Sequence, residues 1–173
     1  MPTRQEIQVH YRYHDSPLGR LLLVGDHAGL QQVSMDIDGK PWRLEPTWRN
    51  ADTELDEVCR QLDAYFAGRR QTFDLRLAPR GTAFQQAVWQ ALLSIPFGKT
   101  SSYSTLAAQI GRPSAMRAVG AANGANPIAV IIPCHRVIGR DGSLTGYAGG
   151  LTRKALLLQL EGAQLPRQAE LAL

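Results

Sequence analysis

The chain has 173 residues, 44% hydrophobic and 20% charged, a soluble globular composition that excludes an intrinsically disordered chain and has room for one ordinary domain or two small ones. Residues 1–78 carry ten Lys/Arg against twelve Asp/Glu, net −2, whereas residues 79–173 carry nine against three, net +6, which points to a polyanionic partner for the C-terminal half. No run of about 18 apolar residues is present, the polar start Met1 to Glu6 is not a signal peptide, and two cysteines without a secretory signal predict a reducing, cytoplasmic setting and not a disulfide framework.

The first predicted elements are strands. Ile7 to Tyr13 alternates like a half-buried strand, Ser16-Pro17-Leu18-Gly19 turns, and Arg20 to Val24 and Leu30 to Met35 flank a turn from Gly25 to Gly29, so a small antiparallel sheet is expected. Residues 36–52, with Trp42 and Trp48, show no periodicity. A helix is predicted over Thr53 to Phe66, stopped by Gly68, with an apolar stripe of Leu55, Val58, Cys59, Leu62, Tyr65 and Phe66 that makes Cys59 a core residue. Phe73, Leu75 and Leu77 alternate as a last strand, and Ala78-Pro79-Arg80-Gly81 reads as a linker between domains 1–78 and 79–173.

The second half is mostly helical by pattern. Thr82 caps a helix whose apolar face is Phe84, Ala87, Val88, Ala91, Leu92 and Ile95, ended by Pro96 and Gly98; Trp89 widens that stripe and is expected to pack between domains. A short helix from Tyr103 to Ile110, the turn Gly111-Arg112-Pro113 and a helix capped by Ser114 and running to Gly124 suggest a helix-turn-helix. On this last helix Ala115, Val119 and Ala122 form the inward stripe, leaving Arg117, Gly120, Ala121 and Gly124 on the other side. Such a bare face suits close approach to a DNA groove with one arginine to fill a vacated base stack, and suits equally well tight packing against another helix. The last helix is predicted over Thr152 to Glu161, with the tail Ala163 to Leu173 loosely ordered.

The chemistry concentrates at Ile132-Pro133-Cys134-His135-Arg136-Val137. Taken alone, Cys134 also fits a small buried hydrophobe, the commoner role of a free cysteine; as a nucleophile, with a thiol near its reference pKa only a few per cent thiolate at neutral pH, it needs a nearby base, which His135 can supply. Neighbouring residues do not share a face, so a bridging water between Cys134 and His135 is expected rather than direct contact. Glu161, at the end of its helix, opposes the macrodipole by about 0.3–1 kcal/mol, which a solvated end or a charged partner such as His135 would offset. The glycines at 139, 142, 146, 149 and 150 match neither a P-loop nor a dinucleotide fingerprint, and His10, His14 and His27 lack cysteines at zinc spacing, so neither metal nor cofactor is expected.

Tyr103, Arg117-Ala118-Val119-Gly120, Asn126-Pro127, Pro133-Cys134-His135-Arg136-Val137 and Tyr147-Ala148-Gly149-Gly150, in this order and spacing, resemble the O6-alkylguanine-DNA alkyltransferases. The resemblance is strong from Thr82 to Gly162 and weaker from Ile7 to Phe73. It implies an α+β chain in which a small sheet domain with a helix precedes a mostly helical, winged-helix-like domain. It also implies irreversible transfer of an alkyl group from O6-alkylguanine, and O4-alkylthymine, in duplex DNA to Cys134, by a monomer that acts once and without a cofactor. The residue roles it implies are Cys134 as acceptor, a relay through His135 and Glu161, Asn126 as a hinge, and Arg117 as the finger that fills the stack. Tyr103, Ser114, Ala118, Gly120, Ala121 and Arg136 would contact DNA beside it, Tyr103 also meeting the purine N3. Val137, Tyr147, Ala148 and Gly149 would line the pocket with Tyr103, a backbone N–H near O6 and the Cys134 and Val137 carbonyls accepting from the guanine amino group. Ala129 and Ala148 stand where relatives have proline and serine, which bears on pocket width. Two other readings remain: a non-catalytic binder of alkylated DNA, disfavoured by Cys134, and a cysteine hydrolase using a Cys134–His135 dyad.

Overall fold

The computed structural model describes residues 7–163, and the chain divides into two compact units, Met1–Pro79 and Arg80–Leu173. The N-terminal unit holds a four-stranded sheet of order β3-β2-β1-β4, from β1 (His10–Ser16), β2 (Gly19–Asp26), β3 (Gly29–Met35) and β4 (Arg49–Asn50). β1–β2 and β2–β3 are antiparallel hairpins. Gly19 makes the first turn at φ +101°, with the Ser16 hydroxyl accepting from the Leu18 N–H and donating to the Gly19 carbonyl. β2 is the central strand, and Leu21, Leu22, Leu23 and Val24 are all buried because both of its faces are covered.

Two expectations change here. The sheet is mixed, since β4 lies parallel to β1; nothing in the pattern of residues 36–52 marks it, and the ring contacts Trp42–Tyr13 and Trp48–Tyr11 hold that segment along β1. Residues 73–77 are not a strand. Leu30 exchanges backbone hydrogen bonds with the Arg76 carbonyl and the Ala78 N–H, a single parallel bridge to Leu77, and the Gln61 side chain takes both the N–H and the carbonyl of Asp74, so the ladder goes no further than that bridge.

Helix α1 (Asp56–Phe66) begins later than predicted because Leu55 sits in the left-handed region, φ 73°, and stops the helix there. It buries Val58, Cys59, Leu62 and Tyr65, together with Gln61, and is tied to β1 by Arg12–Asp56 and by His14–Asp63 at 2.7 Å.

In the C-terminal unit, α2 (Ala83–Leu93) opens with a full capping box: Thr82 Oγ1 accepts from Gln85 N–H and the Gln85 side chain accepts from Thr82 N–H. Trp89 is buried, its indole N–H donating to the Ala122 carbonyl at 2.8 Å. α3 (Tyr103–Gln109) is capped by Ser102 and closed by Gly111 at φ +75°, with Gly111 N–H bonding Ala108 and Arg112 N–H bonding Ala107, a Schellman ending. The chain then turns into α4 (Met116–Gly124), giving the helix-turn-helix, and α5 (Leu151–Leu160) completes the unit. Residues 164–173 lie outside the described residues. Among the described residues no helix is long and apolar enough to cross a membrane, and no group of three or more His, Cys, Asp or Glu side chains is placed to hold a metal ion.

Candidate active site

The segment from Asn126 to Val137 delivers the cysteine. Asn126 braces it like an internal strut: its Nδ2 donates to the Ile132 carbonyl at 2.8 Å and its Oδ1 accepts from the Ile128 N–H at 3.0 Å, folding residues 126–132 into a tight coil instead of a strand. Within that coil Val130 has φ 70°, a conformation a β-branched residue adopts only where its surroundings enforce it. Residues 130–138 are all buried. Pro133 ends the coil, and Cys134–Arg136 form one 3₁₀ turn that points successive side chains in different directions.

Cys134 is 6% exposed and His135 fully buried. Burial pushes the thiol above its ordinary value, partly offset by a hydrogen bond from Asn126 and by the positive charge of Lys154. The resting sulfur is therefore a protonated thiol. Burial also lowers the His135 pKa, against the opposing pull of Glu161, so the ring is neutral at neutral pH. Its Nε2 lies 2.9 Å from Glu161 Oε2. A carboxylate only accepts, so the neutral ring places its one proton on Nε2 and keeps the Nδ1 lone pair. Nδ1 is buried and bonds no protein atom among the described residues.

Arg136, expected at the DNA contact, is buried. It is 7% exposed, donates through Nε and one terminal nitrogen to both Glu161 oxygens at 2.8 and 2.9 Å, and through the other to the Ile95 carbonyl at 2.7 Å. Glu161, 5% exposed at the end of α5, is not a solvated helix end and has two charged or polar partners, His135 and Arg136. The carboxylate has lone-pair capacity for both.

Lys154 escaped the sequence reading. It is fully buried on the face of α5 that also carries Ala155, Leu158 and Glu161; a lysine at i−4 and i−7 from two inward residues was the available signal. Its ammonium donates to the Val137 carbonyl and to the Thr145 carbonyl at 3.1 Å, joining the cysteine segment to the glycine-rich loop. Burial lowers its pKa to about 8. In the same loop the Tyr147 hydroxyl is buried with no protein partner among the described residues, Gly149 is half-buried and Ala148 exposed. Burial, with the cysteine nearby, pushes the Tyr147 phenol well above its ordinary value. Tyr103, at the start of α3, reaches the loop through its hydroxyl, 3.2 Å from Thr145 Oγ1.

Helix α4 presents the bare face. Val119 and Ala122 are buried, joined by Asn123 rather than by Ala115, which is half-buried. Arg117, Ala118, Ala121 and Gly124 are exposed and Gly120 lies against the Tyr103 ring. A Cβ on Gly124 would meet nothing within 4 Å, so the C-terminal end of this face is open among the described residues. Ser114 does not cap α4: Ala115 occupies the cap position without a side-chain bond, because the turn runs one residue longer than predicted and Ser114 is exposed in it. Arg136 and Lys154 take two charges inside, yet Arg80, Lys99, Arg112, Arg117 and Arg140 are exposed, against Asp141 as the one exposed acid among the described residues of this unit.

Two family models match the chain: the DNA binding domain of 6-O-methylguanine DNA methyltransferase over residues 83–163 and the ribonuclease-like domain of the same family over residues 9–79. A methylated-DNA–protein-cysteine methyltransferase of Methanosarcina acetivorans is 50% identical over 155 residues, covering 90% of this chain and 99% of its own. That of Mycobacterium tuberculosis is 51% identical over 159 residues, covering 91% and 95%. The crystal structure of the Mycobacterium tuberculosis OGT in complex with DNA superposes with a TM-score of 0.81 at 50% identity, covering 94% of this chain and 99% of that one. With both of its units matched and half of its residues shared with full-length relatives, the chain belongs to the 6-O-methylguanine DNA methyltransferase family.

Proposed function

We propose that the protein repairs duplex DNA by moving the alkyl group of O6-alkylguanine, and of O4-alkylthymine, onto Cys134 in a single irreversible step. The observation that carries this is the buried thiol in series with a neutral His135 whose proton is held on Nε2 by Glu161. The Nδ1 lone pair takes the thiol proton through one water, which is where a base is required when two adjacent side chains diverge. The sulfur then attacks the O-bound carbon, the carbon–O6 bond breaks, and the guanine leaves with that electron pair and a proton. In this reading Tyr103 donates to the departing base, the Tyr147 hydroxyl, buried without a protein partner among the described residues, forms the polar wall of the pocket, and a backbone N–H of residues 147–149 meets O6. The Val137 carbonyl, already oriented by Lys154, has a second lone pair for the guanine amino group, as does that of Cys134.

The extruded base leaves a gap in the stack, which Arg117 on the open face of α4 fills, while Ala118, Gly120 and Ala121 let the backbone approach the minor groove. Action is as a monomer, and the free thiols Cys59 and Cys134 fit a reducing cytoplasm. A hydrolase is disfavoured because the His135 ring, bonded to Glu161 through Nε2, makes no hydrogen bond to the Cys134 sulfur among the described residues.

A thioether has no chemistry here to reverse it. Incubation with excess DNA carrying one labelled O6-methylguanine should load one label per active protein, all on Cys134 and none on Cys59; sustained turnover overturns the reading. Arg117→Ala should slow transfer from duplex DNA by roughly tenfold or more, since extrusion costs a few kcal/mol and the arginine offsets part of it. Transfer from the free alkylated base should stay within about twofold, and equal losses on both substrates would place Arg117 in the pocket or the fold.

A further inference from the structure

We propose that Thr145 is a positioning residue that sets the direction of the Tyr103 hydroxyl, coupling it to the buried Lys154 ammonium so that the phenol proton points away from the loop and toward the substrate. This rests on the alkyl-transfer reading for its consequence, although the coupling itself rests only on hydrogen-bond geometry.

Lys154 is fully buried and its three N–H groups have three acceptors: the Val137 carbonyl, the Thr145 carbonyl at 3.1 Å and Thr145 Oγ1 at 3.4 Å. An ammonium has no lone pair, so toward Lys154 the threonine hydroxyl can only accept. Its single proton is then available to its other neighbour, the Tyr103 oxygen 3.2 Å away, and donation in that direction leaves the lone pair facing Lys154 undisturbed. Tyr103 accepts from Thr145, and its own proton turns outward. The chain is anchored at its buried end, where the ammonium holds its three acceptors and a broken bond is costly.

The coupling reverses if Lys154 loses its proton. A neutral amine gains a lone pair, Thr145 can donate to it, and the Tyr103 proton can turn inward onto Thr145. Burial brings that event to about pH 8. The titratable groups facing Lys154 are Cys134 and His135, both on the 134–136 turn, and Tyr147 lies on the loop beside Thr145. Cys134 and Tyr147 are held above their ordinary values and His135 below its own, so a transition near pH 8 belongs to Lys154.

The test compares the full chain with Thr145→Val, which keeps the shape and removes the hydroxyl, and with Thr145→Ser, which restores it. Tyrosine labelled with 13C at Cζ reports on Tyr103, its resonance assigned with Tyr103→Phe. In the parent and in Thr145→Ser this resonance should shift with a midpoint near pH 8; in Thr145→Val the shift should vanish. At neutral pH, single-turnover transfer from O6-methylguanine DNA should fall about tenfold in Thr145→Val, the scale of one lost hydrogen bond in the transition state, and stay within about threefold of the parent in Thr145→Ser. Thr145→Ala serves if the valine variant does not fold, with the same expected result. Persistence of the pH 8 shift, or of the parent rate, in a folded variant lacking the hydroxyl overturns the inference. A parent that shows the Thr145-dependent shift but transfers no alkyl group would overturn the repair function and leave the coupling standing.

Discussion

Cys134→Ser will bind duplex DNA with the affinity and salt dependence of the parent and will transfer no measurable alkyl group. The substitution keeps the size and a hydrogen-bonding group at a site that is 6% exposed, so neither the packing of residues 130–138 nor the Asn126 strut is disturbed. A hydroxyl, however, ionises far less readily than a thiol, and the burial that raises the thiol pKa raises the barrier for serine as well. His135 as a neutral base recovers little of that difference, and the rate should drop by at least ~10³-fold. Affinity is assigned elsewhere, to the exposed cations and the open face of α4, where each neutralised phosphate contributes close to one unit to the slope of log affinity against log salt. Titrations at two salt concentrations beside label transfer separate the two functions. Transfer at the parent rate would remove Cys134 as acceptor, and a folded variant that no longer binds DNA would merge the nucleophile with the binding surface.

The secondary structure was most legible where local chemistry decides it. Thr82 and Gln85, three residues apart before an apolar stripe, make the capping box seen in the structure, and the glycines at 19, 68 and 111 mark turns that only φ > 0 can close. The pattern failed where a tertiary partner overrides it. Leu55 and Val130 adopt left-handed conformations that their side chains disfavour, and no periodicity announces this. Residues 73–77 alternate like a strand yet are held by Gln61, a polar residue on the buried side of α1. The site shows the same division. Cys134, His135 and Glu161 are visible as chemically suited residues, and the last two meet at 2.9 Å. Arg136 and Lys154 carry charge, which in a sequence reads as surface, and only the structure shows that a carboxylate and three oxygen acceptors, respectively, draw them inside.

Glu161→Ala should cost both stability and chemistry, for reasons that a second substitution separates. The carboxylate accepts from His135 and from two nitrogens of Arg136, all buried. Removing it leaves the guanidinium inside with the Ile95 carbonyl as its remaining hydrogen-bond acceptor, and breaking a buried ion pair from one side costs about 3–5 kcal/mol. The loss of transfer has a different origin: without an acceptor at Nε2 the neutral imidazole is free to carry its proton on Nδ1, where it cannot take one from the thiol. Adding Arg136→Met removes the stranded charge and fills the space with apolar volume, so the double variant should regain much of the stability lost in urea unfolding. Its transfer rate should stay low, at roughly one-tenth of the parent or less, because the tautomer remains unset. If transfer returns together with stability, the Glu161 carboxylate supports the fold and not the proton path; if the single variant is as stable as the parent, the Arg136–Glu161 pair contributes nothing net to the fold.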